Sequence, residues 1–228
     1  MLNSKELRTK AWDSLKGKYW RAFGVVIVTG LLCSIGMGAV TGSQNLIDVV
    51  NMVEPNEMDS TMKIGALVLM CVSLVLGIIG LLLNIFIANP ISVGCSNYFI
   101  KNTDSKPAFG EVFSGFKNKY GRNCGTLFLA AIKIILWSLL FVIPGIIKTY
   151  EYAILPYILA DDAEISSKDA FKKAKQMMQG NKWRLFKLNL SFFGWFVLCV
   201  LTLGLGTFFL IPYVDAANAE FYVELKNR

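Results

Sequence analysis

Residues 64–88 read IGALVLMCVSLVLGIIGLLLNIFIA and contain no charged side chain. A membrane-spanning helix needs about 18 or more consecutive apolar residues, so this stretch alone is long enough to cross a bilayer. Three further stretches, 22–40, 126–147 and 185–211, are also uncharged or nearly so. Only 17% of the chain is charged, against about 25% in soluble domains, so we expect the excess apolar surface to face lipid.

The charges between these stretches predict which side of the membrane each segment occupies. Residues 1–21, 101–122 and 161–184 are net basic, whereas residues 42–63 are net acidic. Lysine and arginine are retained on the cytoplasmic side. The sequence therefore predicts a cytoplasmic N-terminus, an external segment at 42–63, and two returns to the cytoplasm.

A short pattern occurs three times: LKGKYWR at 15–21, FKNKYGR at 116–122 and MQGNKWR at 178–184. Each copy follows an amphipathic segment and precedes an apolar stretch, which indicates an internal repeat. We expect an all-α, polytopic transmembrane bundle forming one domain over residues 1–228, with repeat units at about 3–102, 106–161 and 166–226. Each unit is predicted to be a helical hairpin preceded by an amphipathic helix in the cytoplasmic interface. The expected interfacial anchors are Trp12, Trp20, Arg21, Arg122, Trp183 and Arg184.

Prolines mark the second half of each unit. Pro90, Pro156 and Pro212 are predicted to kink three return helices, because proline frees a helical carbonyl. Turns are expected at Pro144–Gly145 and at Gly204–Gly206. Three complete hairpins give six spans and a cytoplasmic C-terminus. If the last helix lies on the surface instead, there are five spans and the C-terminus is external.

Five charged residues fall within or near the predicted spans: Lys133, Lys148, Glu151, Asp215 and Glu220. A charge at the bilayer centre costs at least about 2.5–3.5 kcal/mol, so each needs compensation. In one interpretation, Lys133 and Lys148 pair with Glu151 and Asp215 to hold the hairpins together. In a second, the charges line a polar cavity for an ion, a proton or a polar ligand. In a third, some reach an interface because the spans are shifted by a turn.

Enzymatic chemistry has little support in this sequence. There is no histidine, and no phosphate loop, nucleophile elbow, zinc motif or dinucleotide fingerprint. The acidic run Asp161, Asp162 and Glu164 fits either a divalent cation or a solvated loop. We expect no catalytic residue, cofactor, resident metal or nucleic-acid partner.

The expected function is a non-enzymatic membrane module that organises or regulates a partner or an envelope process. A transporter or channel that uses the charged residues is the alternative, because broken helices often line substrate sites. Anionic lipid at the cytoplasmic face, a membrane protein or a second copy of the chain are the expected partners.

Several pieces of the sequence resemble a known family. They are Lys5–Glu6–Leu7 running to Trp20, Pro156 to Asp161, Gly180 to Phe186, Ser191 to Trp195, and Pro212–Tyr213 running to Phe221–Tyr222. The chain is similar over nearly its whole length to the bacterial integral membrane proteins catalogued as domain of unknown function 975, found chiefly in Gram-positive bacteria. The resemblance implies insertion in the cell membrane, and it implies no activity, substrate or catalytic residue.

Overall fold

A computed structural model describes residues 2–52, 59–117, 119–202 and 204–228, and every regular element in these ranges is helical. The expected all-α class is therefore confirmed for this part of the chain. The first half contains α1 (Ser4–Leu15), α2 (Tyr19–Asn51), α3 (Ser60–Leu83), a π-helical segment (Asn84–Ala88), α4 (Asn89–Asp104), a 3-10 helix (Phe109–Phe113) and α5 (Ser114–Lys117). The second half contains α6 (Tyr120–Leu140), α7 (Val142–Tyr152), α8 (Leu155–Asp161), α9 (Ser167–Met178), α10 (Lys182–Leu190), α11 (Phe193–Leu201) and α12 (Leu205–Lys226).

Four helical stretches among the described residues are long and apolar enough to cross a membrane. They are Tyr19–Asn51, Ser60–Asp104, Tyr120–Leu140 and Lys182–Leu201. Membrane localisation follows from their length and composition. Six crossings and a threefold hairpin repeat stay predictions.

The chain divides into two compact units. One unit is Gly30–Ala88, and it contains most of α2 and α3. In this unit Gly77 of α3 comes close to Ser43 of α2, since a Cβ at Gly77 would lie 3.3 Å from the Ser43 hydroxyl. Glu54 and Glu57, which contribute to the predicted external charge, lie outside the described residues.

The other unit comprises Met1–Thr29 and Asn89–Arg228, and its core is built from α4, α8 and the second half of α12. Each of these segments begins at or near a predicted kink. Pro90 follows the π-helical segment, Pro156 lies in the first turn of α8, and Pro212 lies inside α12. These prolines therefore begin segments that pack against protein, and α4 in particular is buried along most of its length.

The amphipathic helices complete this core. α1 buries Leu7, Ala11 and Leu15 against α12 and α4, and α9 buries Ala170 and Ala174 against α7 and α8. The amphipathic helix that is predicted before the second hairpin is instead divided into the short 3-10 helix and α5. Both pack against α4. The buried faces of α1 and α9 are covered by protein rather than by acyl chains.

Local turn signals account for several helix ends. Ser166, three residues before Asp169, caps α9 by accepting a hydrogen bond from the Asp169 amide. Gly17 and Gly180 follow α1 and α9 with φ of 72° and 76°, a conformation in which glycine has no steric penalty. Gly204 (φ 85°) precedes α12 at the predicted turn.

The predicted turn at Pro144–Gly145 is wrong by about one helical turn. The break comes at Phe141, which is extended between α6 and α7. Gly145 lies inside α7, where a Cβ would be 2.1 Å from the Ser138 hydroxyl. Gly145 therefore allows α7 to pack closely against α6. A glycine that follows a proline looks the same in the sequence whether it forms a turn or allows close packing.

Candidate functional site

Glu151 is the centre of a buried ionic group at the end of α7. Its side chain is only 4% exposed. One carboxylate oxygen accepts a hydrogen bond from Lys148 (2.7 Å) and the other accepts one from Lys182 of α10 (2.5 Å). Lys148 lies three residues earlier on α7, on the same helix face. A carboxylate held by two ammonium groups is well compensated, which a single buried charge would not be.

Lys133 joins this group through aromatic rings rather than through a carboxylate. Its ammonium lies 3.7 Å from the centre of the Phe171 ring, a cation–π contact between α6 and α9. Phe171 also packs edge-on against Tyr152, at 5.2 Å between ring centres. Tyr152 in turn lies 5.5 Å from the Lys148 ammonium. We call Lys133, Lys148, Glu151, Tyr152, Phe171 and Lys182 the Glu151 cluster.

Asp215 and Glu220 do not belong to this cluster. Both are half-buried on α12, and within the described ranges neither forms an ion pair. The interpretation in which Lys133 pairs with a carboxylate is therefore wrong for the described residues. The ion pair between Lys148 and Glu151 is present.

Sequence reasoning missed Lys182, although a signal for it exists. In the three copies of the repeated pattern, Lys182 occupies the position held by Tyr19 and Tyr120. The third copy thus has a positive charge at a position where the other two copies have an aromatic ring. The carboxylate that requires it is 31 residues away in sequence, so only the fold reveals the partner.

The predicted arginine anchors bind protein. Arg122 donates hydrogen bonds to the carbonyls of Leu159, Asp162, Ala163 and Ile165, and so closes the end of α8 and the following loop. Arg184 donates to the Leu2 carbonyl and to the Glu224 carboxylate.

The expected aromatic anchors are exposed, as is Arg21. Trp12, Trp20 and Trp183 have exposed fractions of 47%, 74% and 62%. Tryptophan is enriched at membrane interfaces, so these three side chains keep the surface position that the prediction requires.

The acidic run that begins at the last residue of α8 binds other groups of the protein. Asp161 binds the Lys226 ammonium (2.6 Å) and accepts a hydrogen bond from the Tyr222 hydroxyl. Asp162 accepts from the backbone amides of Glu164 and Ile165. Glu164 pairs with Lys119 (2.5 Å). These contacts favour a structured loop over a cation site.

A cavity of about 590 Å³ lies elsewhere in the same unit. Its walls are mainly aromatic and aliphatic, and they include Trp12, Tyr19, Trp195, Phe209 and Tyr213. None of the five candidate charged residues lines this cavity. This space near α1 and α12 therefore suits an apolar chain better than an ion.

Comparison with known proteins gives one match. Residues 129–228 match the model of the family described as "Protein of unknown function (DUF975)". This part of the chain is therefore similar to the DUF975 family. The Glu151 cluster lies inside the DUF975 segment, and the resemblance expected from the sequence is confirmed over these residues. No curated protein and no solved structure matches the chain.

Proposed function

We propose that this protein is a non-enzymatic, multi-pass membrane module that organises or regulates a membrane-protein partner. Three helical hairpins enter the bilayer from the cytoplasmic side, which also holds both termini. If all three hairpins cross the bilayer completely, there are six crossings. If some hairpins enter only part of the bilayer, there are fewer crossings, and both termini are still cytoplasmic.

The proposal is supported mainly by the way in which the charged residues of the Glu151 cluster are compensated by other groups of the protein. Lys148, Lys182 and Glu151 neutralise one another, and Lys133 rests on the Phe171 ring. These contacts join α6, α7, α9 and α10, so they fit a role in holding the helices in place. A substrate pathway would instead need polar groups that are open to a water-filled space.

The polar face of α9 is the surface that best fits a partner. Lys168, Lys172 and Lys175 are exposed on it, while its apolar face is fixed in the core. A rigid row of positive charge attracts an acidic protein surface or anionic headgroups.

A transporter or channel is the second candidate. Asp215 favours it, because this carboxyl is half-buried on α12 without an ion pair among the described residues. Intramembrane carboxylates commonly carry protons or ions in such proteins.

The first test is capture of partners from native membranes by the tagged full-length chain. We expect a membrane protein to co-purify with the wild type, and to be reduced by the triple change Lys168→Gln, Lys172→Gln and Lys175→Gln. The matched control is Lys5→Gln with Lys10→Gln on the exposed face of α1, which should leave capture unchanged.

The same chain in proteoliposomes tests the alternative. If the purified protein alone carries an ion flux, and Lys133→Met and Asp215→Asn each abolish that flux without lowering the melting temperature, the transporter replaces the module. If no flux is measured and the partner is captured, the module stands.

A further inference from the structure

The level of α9 limits how deeply the second hairpin, α6 with α7, can enter the bilayer. Phe171 of α9 contacts Lys133 of α6 and Tyr152 of α7. Exposed lysines precede and follow it at Lys168 and Lys175. Each charge in the hydrocarbon would cost at least about 2.5 kcal/mol, so α9 must lie outside the hydrocarbon, and Lys133 and Tyr152 lie beside it.

Little of the second hairpin remains beyond that level. Residues 134–147 carry no charge, and they include both legs and the turn at Phe141. About seven residues per leg reach only about 10 Å at 1.5 Å per residue. The hydrocarbon core is about 30 Å thick. The exposed tip, with Leu139 83% exposed and Val142 71% exposed, would therefore end near the middle of the bilayer.

The third hairpin, formed by α10, α11 and the start of α12, is limited in the same way by α1. Tyr213 donates a hydrogen bond to the Arg8 carbonyl, and Arg8 donates one to the Ser191 carbonyl. α1 carries charges along its length, from Lys5 to Asp13, so it also lies outside the hydrocarbon. The legs beyond Ser191 and Tyr213 have about eight to ten residues each, or about 12–15 Å.

Aromatic and basic side chains mark the same boundary. Lys148 lies 5.8 Å from the Trp137 ring, and Lys187 lies 5.8 Å from the Trp183 ring. Tryptophan and lysine together are characteristic of the headgroup level. Beyond these pairs, the surfaces of both hairpins are large exposed apolar side chains.

We infer that the second and third hairpins are re-entrant: they enter and leave on the side of the termini and contact only the acyl chains of that leaflet. The Glu151 cluster then lies at headgroup level instead of at mid-membrane. α2 and α3, with 33 and 24 residues, have the length for two complete crossings. This inference rests on the membrane insertion proposed above.

Sided cysteine labelling in intact cells tests the inference. In a chain with Cys33, Cys71, Cys95, Cys124 and Cys199 replaced by alanine, single cysteines are placed at Asn51, Phe141, Thr202 and Lys16. A membrane-impermeant maleimide should label Asn51→Cys from outside. Phe141→Cys, Thr202→Cys and the internal control Lys16→Cys should not be labelled. External labelling of either tip together with Asn51→Cys overturns the inference while leaving membrane insertion intact.

A second measurement keeps the native cysteines. Val142→Lys places a charge at the tip of the second hairpin, and Met52→Lys places one after the end of α2. We expect Val142→Lys to lower the membrane yield and the melting temperature, because its charge would lie in hydrocarbon, and Met52→Lys to lower neither. Equal behaviour of the two variants would mean that the second tip reaches water. Failure of the whole chain to fractionate with membranes would instead remove the proposed function.

Discussion

At the scale of single residues, the clearest feature is that buried charge is matched by specific partners. Glu151 forms ion pairs with Lys148 of its own helix and with Lys182 of α10. Arg184 forms an ion pair with Glu224. Removing one member of such a group leaves the others without compensation, which costs more than the group contributes as a whole.

Glu151→Gln should therefore destabilise the protein strongly. Lys148 and Lys182 would lose their counter-charge, and breaking a buried pair in this way costs about 3–5 kcal/mol in free energy of unfolding. The measurement is thermal unfolding of the purified protein in detergent. Glu151→Gln combined with Lys182→Gln should recover part of the loss, because one uncompensated charge is removed. A fully stable Glu151→Gln variant would show that the cluster is not structural.

Glu224 predicts how stability depends on pH. Burial opposes its ionisation, but hydrogen bonds from Arg184, Arg228 and the Leu2 amide outweigh burial, so the pKa of Glu224 is below its ordinary value of 4.5. A carboxyl with a lowered folded-state pKa stabilises the protein above the unfolded pKa and loses that effect as pH falls through the folded pKa.

Glu224→Gln should accordingly lower the melting temperature at pH 7, by an amount equivalent to about 1–3 kcal/mol. The difference from wild type should shrink as pH falls below 4.5, and it should disappear once pH is below the lowered folded-state pKa, where the wild-type carboxyl is protonated. Asp104→Asn, at an exposed carboxyl, is the control and should change little at either pH. A difference that persists unchanged in acid would exclude the ionic origin.

At the scale of elements, α4 organises the larger unit because it allows close approach by other backbones. A Cβ on Gly94 would lie 1.6 Å from the Val112 carbonyl oxygen, and one on Gly115 would lie 1.9 Å from the Pro90 carbonyl oxygen. Asn97 adds hydrogen bonds to Glu111 and Ser114 (both 2.9 Å). The 3-10 helix and α5 are thus held directly on the α4 backbone.

Gly94→Ala should therefore lower the free energy of unfolding by at least about 1–3 kcal/mol, the cost of overpacking a core. The clash is with backbone, which cannot rotate away as a side chain can. Gly121→Ala on α6 is the matched control, since a Cβ there meets nothing within 4 Å. The two variants are compared by thermal unfolding, and equal melting temperatures would contradict the close packing of α4.

At the scale of the whole molecule, each unit buries its surface differently. In Gly30–Ala88 most large apolar side chains point outward, as in a helix pair surrounded by lipid. In the other unit, fully buried side chains such as Tyr98, Phe192 and Tyr222 form a dense protein core, and exposed apolar surface is concentrated at the hairpin tips. The described residues therefore include one part suited to contact with lipid and another part that is held together by a protein core.

The sequence by itself determined the helical class, the apolar stretches and the turn at Gly204. These features depend on composition and on neighbours within a few residues, so the amino-acid sequence alone is enough to predict them. Only the tertiary structure decided that Lys182 binds Glu151, that Lys133 rests on Phe171, and that α1 and α9 bury their apolar faces in protein. Those outcomes depend on which distant helices meet, and a periodic apolar face looks the same in sequence whether lipid or protein covers it.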